Sequence, residues 1–270
     1  MSLPAAPSPV VLLGPPPPPR PQRIVSLVPS LTELLAVLGL DDETVGLTRF
    51  CVHPEGWKTR KTVVGGTKNV RLDRVAALRP DLVVANREEN VREQVETLAA
   101  TAPVALTDVP DVPAALATIR ALGRLAGRPA AAEALAADLA ARFEALAAGR
   151  AAPLRALYLI WRGPWMAAGG DTIIHDVLAR GGFANVLADR PRYPELPPDA
   201  FAALRPDVVL LPSEPYPFRE AHRAEVAALA PGAAVVLADG EAFSWYGPRL
   251  ARAPDELARL RAVLSAAPPA

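Results

Sequence analysis

Cysteine is nearly absent from this 270-residue chain: Cys51 stands alone, which excludes an internal disulfide and any metal site built from several thiolates. Histidine is almost as scarce, and His53, His175 and His222 fall on separate segments, so no converging set of transition-metal ligands is expected. Lys+Arg and Asp+Glu balance at 29 each, which removes the overall basic field that nucleic acid or an anionic membrane would attract. No apolar run approaches the roughly 18 residues of a membrane helix. Catalytic signatures are missing as well. There is no G-x-S-x-G, Walker A, H-E-x-x-H or dinucleotide fingerprint, and the acids Glu88 and Glu214, each following a strand, have no nucleophile to pair with; no enzyme is expected. At the start, MSLPAAPSPVVLLGPPPPPRPQR, the first basic residue is Arg20 and the apolar run Val10 to Leu13 is only four residues, which does not match a secretory signal. Residues 1–22 read as a disordered Pro-rich segment, with Pro15 to Pro19 forming a polyproline II rod.

What the chain does contain is a repeat. Leu72 to Asp81, LDRVAALRPD, recurs as Pro198 to Asp207, PDAFAALRPD, and each copy runs into an apolar stretch, LVVA or VVLL. The copies lie about half a chain apart, which suggests two similar lobes and not a solenoid with a period of about 20–50 residues. In each copy a short helix is broken by proline and followed by a buried strand. RIVSLV at Arg23 to Val28 reads as a strand ended by Pro29-Ser30, and LTELLAVLGL as a helix stopped at Gly39, with Ser30 and Glu33 spaced as a capping box. Such alternation implies parallel βα units. From Asp111 to Gly149 the chain is alanine-rich and helical, broken at Gly127-Arg128-Pro129, and Leu135, Leu139, Phe143 and Leu146 form one apolar stripe. The expected organisation is residues 1–22 as spacer, 23–110 as an N-terminal lobe, 111–150 as a helical strut and 151–270 as a C-terminal lobe.

This order, with RIVSLVPSLTELL, LDRVAALRPDLVV, AGGDTIIHDVLARGGFANV and PDAFAALRPDVVLLPSE, resembles the helical-backbone (class III) periplasmic-binding-protein superfamily, the substrate-binding proteins of ABC importers for cobalamin, haem and iron-siderophores. The Arg192-Tyr193-Pro194 turn resembles the cobalamin branch. The resemblance spans about Arg23 to Leu264. It implies an α/β fold of two lobes with parallel-type sheets flanked by helices, one long connecting helix, and a ligand cleft between the lobes lined by loops at strand carboxyl ends. Those loops hold Ser30, Arg49, Phe50, Gly66, Thr67, Asn86 and Arg87 in the first lobe. In the second they hold Trp161, Arg162, Trp165, Arg192, Tyr193, Tyr216, Trp245 and Tyr246.

The second-lobe rings either plug that lobe's own core or face a flat macrocycle. Thr67 and Asn86 fall where cobalamin binders often place tryptophan, so the arginines are left either to meet an anionic chelate or to sit solvated at a rim. The implied ligands are cobalamin, haem or a ferric siderophore, with no permanently bound cofactor. Asp73 and Asp199, equivalent in the two repeats, match the acids through which the family docks on a dimeric permease, or are simply acids at helix N-termini. Cys51-Val52-His53 beside Phe50 is a weak candidate for haem iron. Gly169-Gly170-Asp171-Thr172 opens a helix either as an anion nest or as a turn with Asp171 at the N-cap. The family is extracytoplasmic; the start of the sequence instead favours the second reading, a cytoplasmic tetrapyrrole or metal-chelate carrier. Either way the chain is expected to be a monomer that binds a small molecule and no nucleic acid.

Overall fold

The structure is a computed structural model and describes residues 8–147 and 152–266. Its chain divides into two compact units, the first comprising Met1–Val109, Pro113–Asp138 and Tyr246–Pro248, the second Pro110–Val112, Leu139–Trp245 and Arg249–Ala270.

The first unit contains β1 (Val10–Leu13), β2 (Ile24–Ser26), α1 (Pro29–Val37), β3 (Thr44–Leu47), α2 (Trp57–Arg60), β4 (Thr62–Val63), α3 (Leu72–Ala77), β5 (Leu82–Asn86), α4 (Arg92–Ala99), β6 (Val104–Thr107) and most of α5 (Val112–Leu125). Its six strands run in the order β1-β6-β5-β2-β3-β4. Every pairing is parallel except that of β1 with β6. All five residues of β5 are buried, as expected of a strand with helices on both faces. Helix α6 (Pro129–Ala147) begins in the first unit and ends in the second.

The second unit adds β7 (Leu154–Trp161), β8 (Met166–Ala167), α7 (Ile173–Arg180), β9 (Phe183–Asn185), α8 (Pro198–Leu204), β10 (Val208–Pro212), α9 (Arg223–Leu229), β11 (Ala234–Ala238), α10 (Gly240–Ser244) and α11 (Ala253–Ala266). Its sheet runs β11-β10-β7-β8, with β9 also parallel to β7.

Two expectations fail here for local reasons. Residues 8–22 are not a disordered spacer, because Val10–Leu13 adds an antiparallel strand to β6, Val10 lying opposite Thr107 and Leu13 opposite Val104. The Ser8 hydroxyl takes up both the carbonyl (2.9 Å) and the N–H (3.3 Å) of Val10, groups that point away from β6, and so blunts the new sheet edge. The remainder of the 1–22 segment lies outside the described residues. The capping box is absent: Val28 is the N-cap of α1, Pro29 supplies its first turn, and Ser30 is already helical and buried.

The repeated AALRPD has one structural job, performed twice. Arg79 and Arg205 both take φ of 44°, a left-handed turn that ends α3 and α8. The aspartate that follows then stitches the helix to the start of β2 in the first unit and to β7 in the second. Asp81 accepts the main-chain N–H groups of Gln22 and Arg23, both at 2.8 Å, and its own N–H donates to the Arg23 carbonyl. Asp207 accepts the N–H of Arg155 at 2.7 Å and donates to the Arg155 carbonyl. Arg23 and Arg155 complete the staple by donating from Nε to the terminal helix carbonyls of Leu78 (2.7 Å) and Arg205 (3.0 Å).

The alanine content of the strut has an equally local cause. A Cβ on Gly123 of α5 would stand 2.1 Å from the Ala132 Cβ of α6, so the two helices touch where both side chains are smallest. Ala132 and Ala136 continue the buried stripe of Leu139 and Phe143 toward the helix start.

Candidate functional site

In the first unit the loops after β2, β3, β4 and β5 all leave strand carboxyl ends, where ligands of open α/β sheets bind. Arg49 and Phe50 follow β3. Phe50 is 53% exposed and the Arg49 guanidinium lies 5.5 Å from its ring centroid. Gly66 makes room for the pair, since a Cβ there would meet Arg49 Nη2 and Phe50 Cε2, each at 3.1 Å. Arg49, Phe50 and Gly66 are therefore brought together, with Thr67 next in the chain. Arg87 is exposed and paired with Asp108 at 3.0 Å.

Asn86 does not belong to this surface. It is 2% exposed, and its side chain is spent on structure: Nδ2 donates to Thr107 Oγ1 (3.0 Å), while Oδ1 accepts the N–H groups of Glu88 (2.8 Å) and Glu89 (3.2 Å). Asn90, which no sequence pattern singled out, completes the loop by donating to the carbonyls of Leu27 (3.3 Å) and Thr67 (3.0 Å). Ser30 and Tyr246 are likewise turned inward. Tyr246 is 5% exposed and donates its hydroxyl to Glu89 Oε1 at 2.8 Å; burial, with the Glu89 carboxylate beside it, holds its ionisation far above the usual range. A Cβ on Gly247 would be 2.8 Å from the Ser30 carbonyl, so this segment lies directly over Ser30.

Cys51 is not available to an iron. Its Sγ sits within 3.0 Å of Thr32 Oγ1 and 3.2 Å of Thr48 Oγ1, and burial pushes the thiol's pKa up. At neutral pH, native Cys51 should react with iodoacetamide at least about a hundredfold more slowly than a free thiol, and at the free-thiol rate after denaturation, as followed by mass spectrometry.

In the second unit the rings divide their roles. From the core outward, Phe201 meets Trp165 edge-on at 5.6 Å, Trp165 stacks on Phe218 at 6.3 Å, Phe218 meets Tyr216 at 4.7 Å, and Tyr216 meets Trp161 edge-on at 5.5 Å. Phe201 is fully buried and Trp161, at the end of β7, is 41% exposed. Trp165 and Tyr216 pack against the hydrophobic core, so the plug and the exposed ring are two ends of one chain of contacts. Arg162 donates two bonds to Glu225 (2.9 and 3.0 Å) and lies 5.8 Å from the Trp165 centroid.

Arg192 has φ of 55°, and its N–H donates to Asp171 Oδ1 at 2.5 Å; Tyr193 beside it is half-buried. The Gly169-Gly170 pair is no anion nest. Its N–H groups donate to the carbonyls of Arg192 (2.7 Å) and Arg190 (2.8 Å), and a Cβ on Gly170 would lie 2.0 Å from the Ala188 carbonyl oxygen. Thr172, not Asp171, caps α7, its hydroxyl accepting the His175 N–H at 3.4 Å. Trp245 is only 6% exposed; its Nε1 donates to Glu214 Oε1 at 2.5 Å, and the Ser244 hydroxyl donates to the same oxygen at 3.0 Å. Desolvation raises the Glu214 pKa despite those bonds, and Glu241 and Asp239 raise it further.

Asp73 and Asp199 occupy equivalent places, each the second residue of its helix and exposed. Asp73 pairs with Arg71 at 3.3 Å, which lowers its pKa.

Comparison with known proteins bears on both units. The profile of the periplasmic binding protein family matches residues 24–228. The vitamin B12-binding protein of Pectobacterium carotovorum is 25% identical over 251 residues, covering 91% of this chain and 90% of that protein. A solved periplasmic heme-binding protein from Pseudomonas aeruginosa is 28% identical with a TM-score of 0.77, covering 93% of this chain and 95% of that one. A periplasmic heme-binding protein from Roseiflexus sp. RS-1 is 26% identical with a TM-score of 0.74, covering 90% and 97%. The vitamin B12-binding protein of Vibrio cholerae, at 19% identity, shares the fold with a TM-score of 0.78 over 93% of this chain and all of that one.

Proposed function

Because the chain belongs to the periplasmic binding protein family, we propose that it is the extracytoplasmic capture component of an ABC-type importer and that its ligand is a tetrapyrrole, either haem or a cobalamin-type corrinoid. One observation carries the ligand class. Each unit presents, at or just beyond a strand carboxyl end, an exposed aromatic ring with an arginine next to it in sequence, Phe50 with Arg49 and Trp161 with Arg162. A ring offers a flat macrocycle its face, and a guanidinium offers hydrogen bonds to the polar periphery. The names of the heme-binding and B12-binding relatives support the same class.

Protein purified natively from its own host tests this. Absorbance and mass analysis should find a co-purified tetrapyrrole with its characteristic visible bands; a full-length secreted protein that carries a different ligand class overturns the reading.

Delivery to a permease would use Asp73 and Asp199, which supply one exposed acid on the repeated helix of each unit. Asp73→Arg combined with Asp199→Arg should abolish uptake of the ligand by cells while leaving the affinity of the purified protein within about twofold, since surface charges act on partner encounter and not on a remote site. Undiminished uptake rejects those two acids as the contact.

A further inference from the structure

Glu214 is an anomaly among the acids of the second unit. Around it Asp239 pairs with Arg252 (2.7 Å), Glu241 with Arg249 (2.9 Å) and Glu256 with Arg259 (2.7 Å). No lysine or arginine among the described residues pairs with Glu214, although it is the acid whose pKa burial raises. Trp245 Nε1 and the Ser244 hydroxyl both bind Oε1, and Oε2 receives no hydrogen bond among the described residues. The carboxylate cannot simply swing away. The backbone of Glu214 is pressed against Gly240, where a Cβ would lie 2.7 Å from the Glu214 carbonyl oxygen, and the Trp245 indole that holds Oε1 is itself buried beneath Arg249, 5.2 Å from its ring centroid. Glu214 directly follows Ser213 at the carboxyl end of β10, on the same edge of the sheet as the β7 loop that carries Trp161 and Arg162. A desolvated acid with one oxygen fixed and the other open, placed where ligands bind, is arranged to receive a donor from outside the protein.

We propose that Glu214 selects the ligand by its peripheral groups: its open carboxylate oxygen accepts hydrogen bonds from primary amides and repels carboxylates, so the protein takes an amide-fringed corrinoid in preference to carboxylate-bearing haem. This rests on the tetrapyrrole reading and deepens it. An ionised acceptor makes a shorter, stronger bond to an amide N–H than a neutral one does, whereas a ligand carboxylate beside an acid that has no counter-cation is a like-charge contact.

The test is a pair of titrations at neutral pH, of dicyanocobinamide and of haemin, on the full chain and on Glu214→Gln. Gln keeps an oxygen for Trp245 and Ser244 while removing the charge. The preference for cobinamide over haemin should fall about tenfold or more, the worth of one charge-assisted bond. Glu214→Asp retains the charge and should retain the preference, which separates charge from packing and guards against a Gln variant that folds poorly. If the wild type binds at least one of the two ligands and Glu214→Gln leaves the ratio within twofold, Glu214 is not the selector and the tetrapyrrole reading stands. Should the wild type bind neither, that reading fails and takes this inference with it.

Discussion

Phe50→Ala together with Trp161→Ala should weaken binding of the favoured tetrapyrrole by roughly a hundredfold, each exposed ring contributing about 1.4 kcal/mol of buried apolar contact. Both rings already stand half out of the surface, so their removal costs the fold little, and the loss should appear in ligand titration with the melting temperature almost unchanged. Trp165 is a deliberate contrast. It is wedged between Phe201 and Phe218, and Trp165→Ala should destabilise the second unit by about 3 kcal/mol through the cavity it leaves. An affinity that survives the loss of Phe50 and Trp161 but follows the stability of the Trp165 variant would mean that the inner rings, and not the outer pair, form the binding surface.

Asp81→Ala should destabilise the first unit by about 2–3 kcal/mol, since it leaves the N–H groups of Gln22 and Arg23 without their charged acceptor and frees the end of α3 from β2. The effect is best read as faster amide hydrogen exchange in β2 and β5. Asp207→Ala should do the same in β7 and β10, more weakly, because it loses one such bond and not two. Unaltered exchange in both variants would show that the repeated motif is kept for something other than this staple.

The repeat also shows where sequence reasoning reaches and where it stops. AALRPD is legible because proline, aspartate and a broken helical period act locally, so the helix, break and strand follow from adjacent residues. The long strands with unbroken apolar runs, such as VVLL before Pro212, are legible for the same reason. Strand β1 is not, because four apolar residues between prolines acquire meaning only when the edge of β6 is there to pair with. The helices α2 and α10 escape notice because they are only four and five residues long.

At the loops after the strands, residue type and strand position pick out Arg49, Phe50, Trp161 and Arg162, which the fold leaves at the surface. They could not distinguish these from Asn86, Trp245 and Tyr246, whose polar atoms are consumed by Thr107, Glu214 and Glu89, partners distant in sequence. Burial of a loop residue is decided by what folds over it, and no local pattern records that. Glu89 and Asn90 were missed because their partners, Tyr246 for the one and the Leu27 and Thr67 carbonyls for the other, are distant in sequence, and by type they resemble ordinary surface polar residues. Glu214 was visible as an acid after a strand, but its lack of a counter-cation emerges only once the arginines of α11 and its preceding turn are placed beside its neighbours.

The most direct test of the whole account is titration of the purified full chain with haemin and with cyanocobalamin, followed by ligand absorbance and by quenching of tryptophan fluorescence. Saturable one-to-one binding of at least one of them at micromolar or lower concentration, lost in the Phe50→Ala and Trp161→Ala double variant, is the result expected. The absence of saturable binding by a folded protein, with neither absorbance shift nor quenching, would contradict it.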